Sequence, residues 1–203
     1  IMQVRDMYLK KSKFLFFVFI MLFGFQNSCF SKEVLTDDII EYLSGLRNFS
    51  ASFIQSDDDS LVSEGVFFIG QDRIRVEYKV PNKILIILDE DKAMYYDYEL
   101  EEDEFFDPKN TSSWFFFDIF KNPNFFRHSV IVDEGNYLII KKNGFNENYN
   151  YKIKITFENN PMIIRKINLF VDDLNLTISI FDHTYNNKFS DDFFKLINPS
   201  FFE

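Results

Sequence analysis

Three stretches of this chain alternate apolar and polar side chains with a period of two, and that pattern restricts the fold more than any other feature. Arg73–Lys79 sets Ile74, Val76 and Tyr78 against Arg73, Arg75, Glu77 and Lys79. Tyr149–Glu158 sets Tyr149, Tyr151, Ile153, Ile155 and Phe157 against Asn150, Lys152, Lys154, Thr156 and Glu158. Leu174–Phe181 places Leu174, Leu176, Ile178 and Ile180 on one side. Successive side chains of a strand point to opposite faces, so each stretch reads as an antiparallel strand with one wet and one covered face. Shorter apolar runs extend the series: Leu61–Ile69, Ile84–Leu88, Ala93–Tyr98, Glu101–Phe106, Val130–Val132, Tyr137–Lys141 and Ile163–Val171. That makes ten strands, with an eleventh expected near Tyr185–Phe189. Pro81-Asn82, Asp133–Asn136, Asn143-Gly144 and Asn159–Pro161 supply the turns between them.

Two segments break the period. In Thr36–Phe53 the apolar residues Ile39, Ile40, Leu43, Leu46 and Phe49–Phe53 recur at three- and four-residue steps, which predicts an amphipathic helix capped by Thr36. Thr111–Phe120 predicts a second, short helix with Trp114, Phe117 and Phe120 on one side. Consecutive hairpins with few helices predict a mainly β chain built as one large, curved antiparallel sheet. The inner faces of such strands are ordinarily packed core. Here two amphipathic helices must cover one concave face, an arrangement that leaves room for a cavity too wide for side chains to fill. The 28 Phe and 10 Tyr are in keeping with a wide apolar interior.

Lys10, Lys11 and Lys13 precede Phe14–Phe25, which is apolar throughout except for Gly24, and Gln26–Ser31 follows with small and polar residues. This order describes a secretory signal peptide, and the apolar run is too short to span a membrane. Residues 1–31 are therefore expected to be a leader (with 1–6 dispensable) cleaved near Ser31/Lys32, and residues 32–203 a single domain. Removing the leader takes Arg5, Lys10, Lys11, Lys13 and Asp6, leaving 18 basic against 31 acidic side chains, a net charge of −13. Such acidity excludes nucleic acid as a partner, keeps an apolar chain soluble and favours a monomer. Cys29 lies within the leader, so the domain rests on its core without a disulfide. The alternative reading makes Cys29 a lipidation site, although Gln26-Asn27-Ser28 lacks the Leu expected before one.

Catalytic and metal-binding patterns are missing from the sequence. His128 and His183 are the two histidines; no paired His or Cys spacing, phosphate loop or Gly-x-Ser-x-Gly elbow occurs. The acidic runs Asp57–Asp59 and Glu101–Glu104 lack the spacing of a calcium loop and read as solvated surface. No enzyme activity, metal or cofactor is expected.

Four stretches in order carry a family likeness: Leu46–Gln55, ending in Phe-Ile-Gln; Gly65–Ile69 followed by Arg73–Pro81; Leu85–Asp89 followed by Tyr95–Leu100; and Phe193–Pro199. Across residues 33–199 the chain resembles the periplasmic outer-membrane lipoprotein carriers of the LolA type. The resemblance implies an incomplete antiparallel barrel of eleven strands covered by a helical lid enclosing a hydrophobic cavity. It also implies a chaperone without chemistry, which shields acyl chains of lipoproteins in the periplasm. Such a carrier receives them from an inner-membrane ATP-binding-cassette transporter complex and delivers them to the outer membrane or an acceptor there. On that reading Ile74, Val76, Tyr78, Leu85, Ile87, Tyr96, Trp114 and Phe117 line the cavity, and Leu46, Phe49 and Phe53 belong to the lid. The family carries an arginine ahead of its second motif that helps close the lid. Gln71-Asp72 stands near that place here, so no gating residue is assigned. The competing readings are an outer-membrane lipoprotein receptor of the same fold lipidated at Cys29, and a lipoprotein-sensing module.

Overall fold

A computed structural model describes residues 30–59, 61–145 and 150–202. Cys29 and the expected leader, apart from its last two residues, lie outside these residues, as does Tyr149. Helix α1 (Phe30–Gly45) comes first, and strands β1 (Phe49–Ser56), β2 (Val62–Ile69), β3 (Ile74–Val80), β4 (Ile84–Leu88), β5 (Ala93–Asp97) and β6 (Glu102–Phe106) form a meander. A 3-10 turn (Pro108–Asn110) and helix α2 (Trp114–Lys121) follow. A second meander comprises β7 (Val130–Asp133), β8 (Tyr137–Phe145), β9 (Asn150–Asn159), β10 (Met162–Val171) and β11 (Leu174–Thr184). The meanders join where β1 pairs antiparallel with β11, giving one eleven-stranded sheet in the order β6-β5-β4-β3-β2-β1-β11-β10-β9-β8-β7. Its outer strands β6 and β7 do not pair with each other, so the barrel is incomplete, as expected.

The eleventh strand is not the expected one. Residues 185–189 form no strand, while residues 49–53, which the sequence pattern assigns to the end of a helix, belong to β1 at the centre of the sheet. The helix ends at Gly45, and Asn48 turns the chain with a positive φ of 53°. Leu46, Phe49 and Phe53 satisfy a helical stripe, but Phe49, Ala51 and Phe53 also alternate with Ser50, Ser52 and Ile54. Pairing with strands on both sides decides for the second pattern. Thr36 consequently lies inside α1 and does not cap it.

Both helices cover the concave face. Ile39 and Leu43 of α1, Leu46 just beyond it, and Phe115, Ile119 and Phe120 of α2 are buried against Phe49, Phe53, Phe67, Ile74, Ile153, Ile155 and Ile178 in one continuous core. Each such side chain contributes about 1.5–3 kcal/mol relative to an exposed position. Helix α1 is also fixed by a polar contact: β11 leaves β10 beyond Lys166, and the freed Ile164 N–H donates to Tyr42 Oη at 3.0 Å. The Ile164 carbonyl lies 2.8 Å from His183 Nε2, which gives that histidine a structural partner.

The convex face of β3–β5 is covered differently. Leu85, Ile87, Met94 and Tyr96 form a separate buried cluster under Leu196 of the C-terminal segment. Phe189 and Phe193 of the same segment pack on Phe68, with ring centroids 6.0 and 4.9 Å away. Two guanidinium groups hold the segment down: Arg73 Nη1 donates to the Phe194 carbonyl (3.1 Å) and Arg75 Nη1 to that of Phe193 (2.8 Å).

Candidate functional site

A mostly apolar cavity of about 190 Å³ lies between the concave face and the N-terminal end of α2. Its walls come from Phe53 and Gln55 on β1, Phe67 on β2, Val76 and Tyr78 on β3, and Ile86 and Leu88 on β4. Leu169 of β10, Leu176 and Ile178 of β11, and Ser112, Ser113 and Phe116 from the start of α2 complete it. The register explains why these residues converge. Val76 stands opposite Phe67 and Ile86, and Ile74 opposite Ile69 and Leu88, so each row presents one face.

A glycine shapes one row of this wall. Gly65 sits between Phe53 on β1 and Tyr78 on β3. Without a side chain there, the two rings meet across β2, centroids 5.2 Å apart and nearly perpendicular at 86°. A Cβ on Gly65 would lie 2.3 Å from the Glu77 carbonyl oxygen and 2.7 Å from the Phe53 ring. The Tyr78 hydroxyl donates to Gln55 Oε1 at 3.2 Å, and burial raises its pKa. With Ser112 and Ser113 these are the polar groups of an otherwise apolar wall.

Of the residues expected to line the cavity, Val76 and Tyr78 do so. Ile74 shares their face but is fully buried in the core beyond it. Leu85, Ile87 and Tyr96 do not reach the cavity: they stand opposite Glu77, Arg75 and Leu85 respectively, on the convex face under the C-terminal segment. Ile84–Leu88 is apolar on both faces, so the sequence carries no sign of its phase. The neighbours Ile86 and Leu88, in the opposite phase, line the cavity instead. Trp114 and Phe117 border a separate polar groove with Asp72, Glu90, Lys109 and Lys121. The cavity takes Phe116 from α2, because the buried side of that helix is carried by Phe115, Ile119 and Phe120. Phe49 and Phe53, expected on the lid, lie on β1, where Phe53 walls the cavity and Phe49 packs on Phe67. Leu46, the third expected lid residue, is core between α1 and β1.

Helix α2 is tied to the sheet at its far end. Lys121 Nζ donates to the Gly70 and Gln71 carbonyls at 2.5 and 3.0 Å, in the turn between β2 and β3. Burial lowers its pKa to about 8. Among the described residues no three His, Cys, Asp or Glu side chains gather as a metal site would require, and no helix is long and apolar enough to cross a membrane.

An open sheet whose concave face keeps an apolar cavity under helices is a binding architecture, and the sequence comparison agrees with it. The family model described as outer membrane lipoprotein carrier protein LolA matches residues 44–197. The chain belongs to that family. An uncharacterized protein of Rickettsia prowazekii (strain Madrid E) is 28% identical over 165 residues, covering 79% of this chain and 76% of that one. Among solved structures, an uncharacterized conserved protein from Thermus thermophilus shares the fold with a TM-score of 0.50 at 9% identity, over 80% of this chain and 93% of that one. LprF from Mycobacterium bovis superimposes more loosely, with a TM-score of 0.40 at 10% identity, over 77% of this chain and 94% of that one. Membership of this family supports a lipoprotein-binding, carrier-type role.

Proposed function

We propose that this protein is a periplasmic carrier that holds the acyl chains of lipoproteins in the cavity beneath α2. It takes them from an inner-membrane ATP-binding-cassette releasing complex and carries them to the outer membrane or to an acceptor there. The leader at residues 1–31 brings it to that compartment, and the domain acts as a monomer without cofactor or chemistry. The observation that carries the reading is the unfilled cavity itself. Protein interiors are close-packed, yet here aromatic and aliphatic side chains from both meanders surround empty space.

A cavity near 190 Å³ is close to the size that admits a single benzene ring, about 150 Å³. Several acyl chains exceed it, so loading moves α2 outward from the sheet. Each methylene then buried contributes about 0.8 kcal/mol, which offsets the packing that α2 gives up. Closed and loaded forms are thus alternatives of one lid.

Native mass spectrometry of the protein with one bacterial lipoprotein, acylated and unacylated, tests this. A one-to-one complex with only the acylated form is expected. A well-folded protein that binds neither form would overturn the proposal.

A further inference from the structure

Five of the hairpin turns share one end of the sheet, and this end differs from the other. They are β1–β2, β3–β4, β5–β6, β8–β9 and β10–β11. The walls of the cavity run out towards them: Gln55 is one residue from the end of β1, Tyr78 and Leu169 are two from the ends of β3 and β10, and Leu176 is two from the start of β11. At the opposite end Lys121 bonds α2 to the β2–β3 turn, so the mouth lies at the end of the five turns.

Around this mouth large apolar side chains stand in water. Leu61 is 67% exposed and Leu100 67%, with Val80 and Leu174 also exposed. Carboxylates alternate with them: Asp57–Asp59, Glu99, Glu101, Asp172 and Asp173 fall in the same turns, where Lys83 is the basic residue. The turns touch, since Asn175 Nδ2 donates to Asp58 Oδ1 at 2.7 Å, joining the β1–β2 turn to the foot of β11. The mouth of an apolar cavity is thus ringed by a surface both apolar and negative.

We infer that this rim holds the polypeptide segment that immediately follows the acylated residue of the cargo, and that it favours segments rich in Lys and Arg. The inference rests on the carrier reading. With acyl chains in the cavity, the first residues of the attached protein must cross the rim, because their anchor is only a few bonds away. The apolar side chains meet the glycerol and the stems of long side chains. The carboxylates attract ammonium and guanidinium groups and repel an acidic segment, at distances within a Debye length of about 8 Å at physiological salt. The rim therefore adds a choice among cargoes that a purely apolar cavity cannot make.

Three synthetic lipopeptides test this: tripalmitoyl-Cys-Ser carrying four Lys, four Glu or four Ser, titrated against the protein at low and high salt. The Lys form should bind at least about tenfold more tightly than the Glu form at low salt, and the gap should close in about 0.5 M sodium chloride. The triple variant Asp59→Lys, Glu99→Lys, Asp173→Lys should reverse the order while its affinity for the Ser form stays unchanged, which also reports that it is folded. Equal binding of the three forms overturns the inference and leaves acyl-chain carriage standing. A Lys preference that survives in the triple variant overturns it too, because the charge reader would then lie elsewhere. Failure of all three peptides to bind overturns the carrier reading itself.

Discussion

Strands β3 to β5 are covered on both faces, and the two covers are built in opposite ways. On the convex side the C-terminal segment lies over Leu85, Ile87, Met94 and Tyr96. Arg73 and Arg75 staple it there through its own backbone carbonyls, and the Arg75 guanidinium lies 4.5 Å from the centroid of the Phe193 ring. On the concave side α2 spans the gap between the two meanders and leaves empty space over Val76, Tyr78, Ile86 and Leu88. Burial alone does not distinguish a core from a site, since both faces are shielded from water. A face closed by a bonded strap is structural, whereas a face that its covering helix leaves underfilled can receive something.

The largest effect should come from the row that shapes the cavity. Gly65→Val places atoms into the Glu77 carbonyl and the Phe53 ring, and should destabilise the protein by more than about 3 kcal/mol, read as a fall in the urea midpoint. Next comes a paired test of the two faces. Leu85→Ala, on the strapped face, should cost about 2–5 kcal/mol and leave the affinity of the folded fraction for an acyl ligand unchanged. Val76→Phe, on the underfilled face, should change stability by less than about 1 kcal/mol because the ring enters existing space, yet reduce that affinity at least about tenfold. Equal behaviour of the two variants, in stability and in binding, would break the distinction.

The same contrast explains what the sequence can and cannot disclose. β9 and β11 are legible because each has a wet face. β3 is legible because its covered convex face is polar, Arg73 and Arg75 bonding the carbonyls of the strap, which keeps the alternation Ile74-Arg75-Val76-Glu77-Tyr78. β4 is legible as a strand but not in its phase. Its convex side is covered by a segment more than a hundred residues later in the chain, so both faces are apolar and Ile84-Leu85-Ile86-Ile87-Leu88 has no alternation to read. Sequence reasoning misplaces Leu85, Ile87 and Tyr96 in the cavity for that one reason. It misses β1 because Phe49 and Phe53 fit a spacing of four as well as a spacing of two, and only the long-range partners β2 and β11 decide between them. The position of Phe116 is hidden likewise: the first turn of α2, Trp114-Phe115-Phe116-Phe117, is apolar all round, and tertiary packing selects its inner side.

A smaller effect should follow from loosening the strap. Arg75→Leu removes the bond to the Phe193 carbonyl, the ion pair with Glu77 at 2.6 Å and the contact with the Phe193 ring. These groups are partly exposed, so a loss of about 1–2 kcal/mol is expected. Faster proteolysis confined to residues 189–202 should accompany it, with acyl binding unaltered.

The smallest effect separates the two covers by pH. The strap is held by the guanidinium groups of Arg73 and Arg75. The far end of α2 is held by Lys121, whose pKa burial lowers from 10.5 to about 8. A base whose folded pKa lies below its unfolded value binds its proton less well in the folded state. Between about pH 8 and 10.5 the unfolded chain therefore carries the extra proton, and stability rises with pH across that window. Tyr42 acts in the other direction only above its ordinary value of 10.0, since burial raises its pKa and the unfolded phenol ionises first. Urea midpoints from about pH 7.5 to 9.5 should then show a gain in the wild type that Lys121→Met lacks, because a thioether has no proton to lose. Arg73→Met should keep the gain in full. If Lys121→Met retained the gain, the anchor of α2 would not be the titrating group, and the lid would be no more sensitive to pH than the strap.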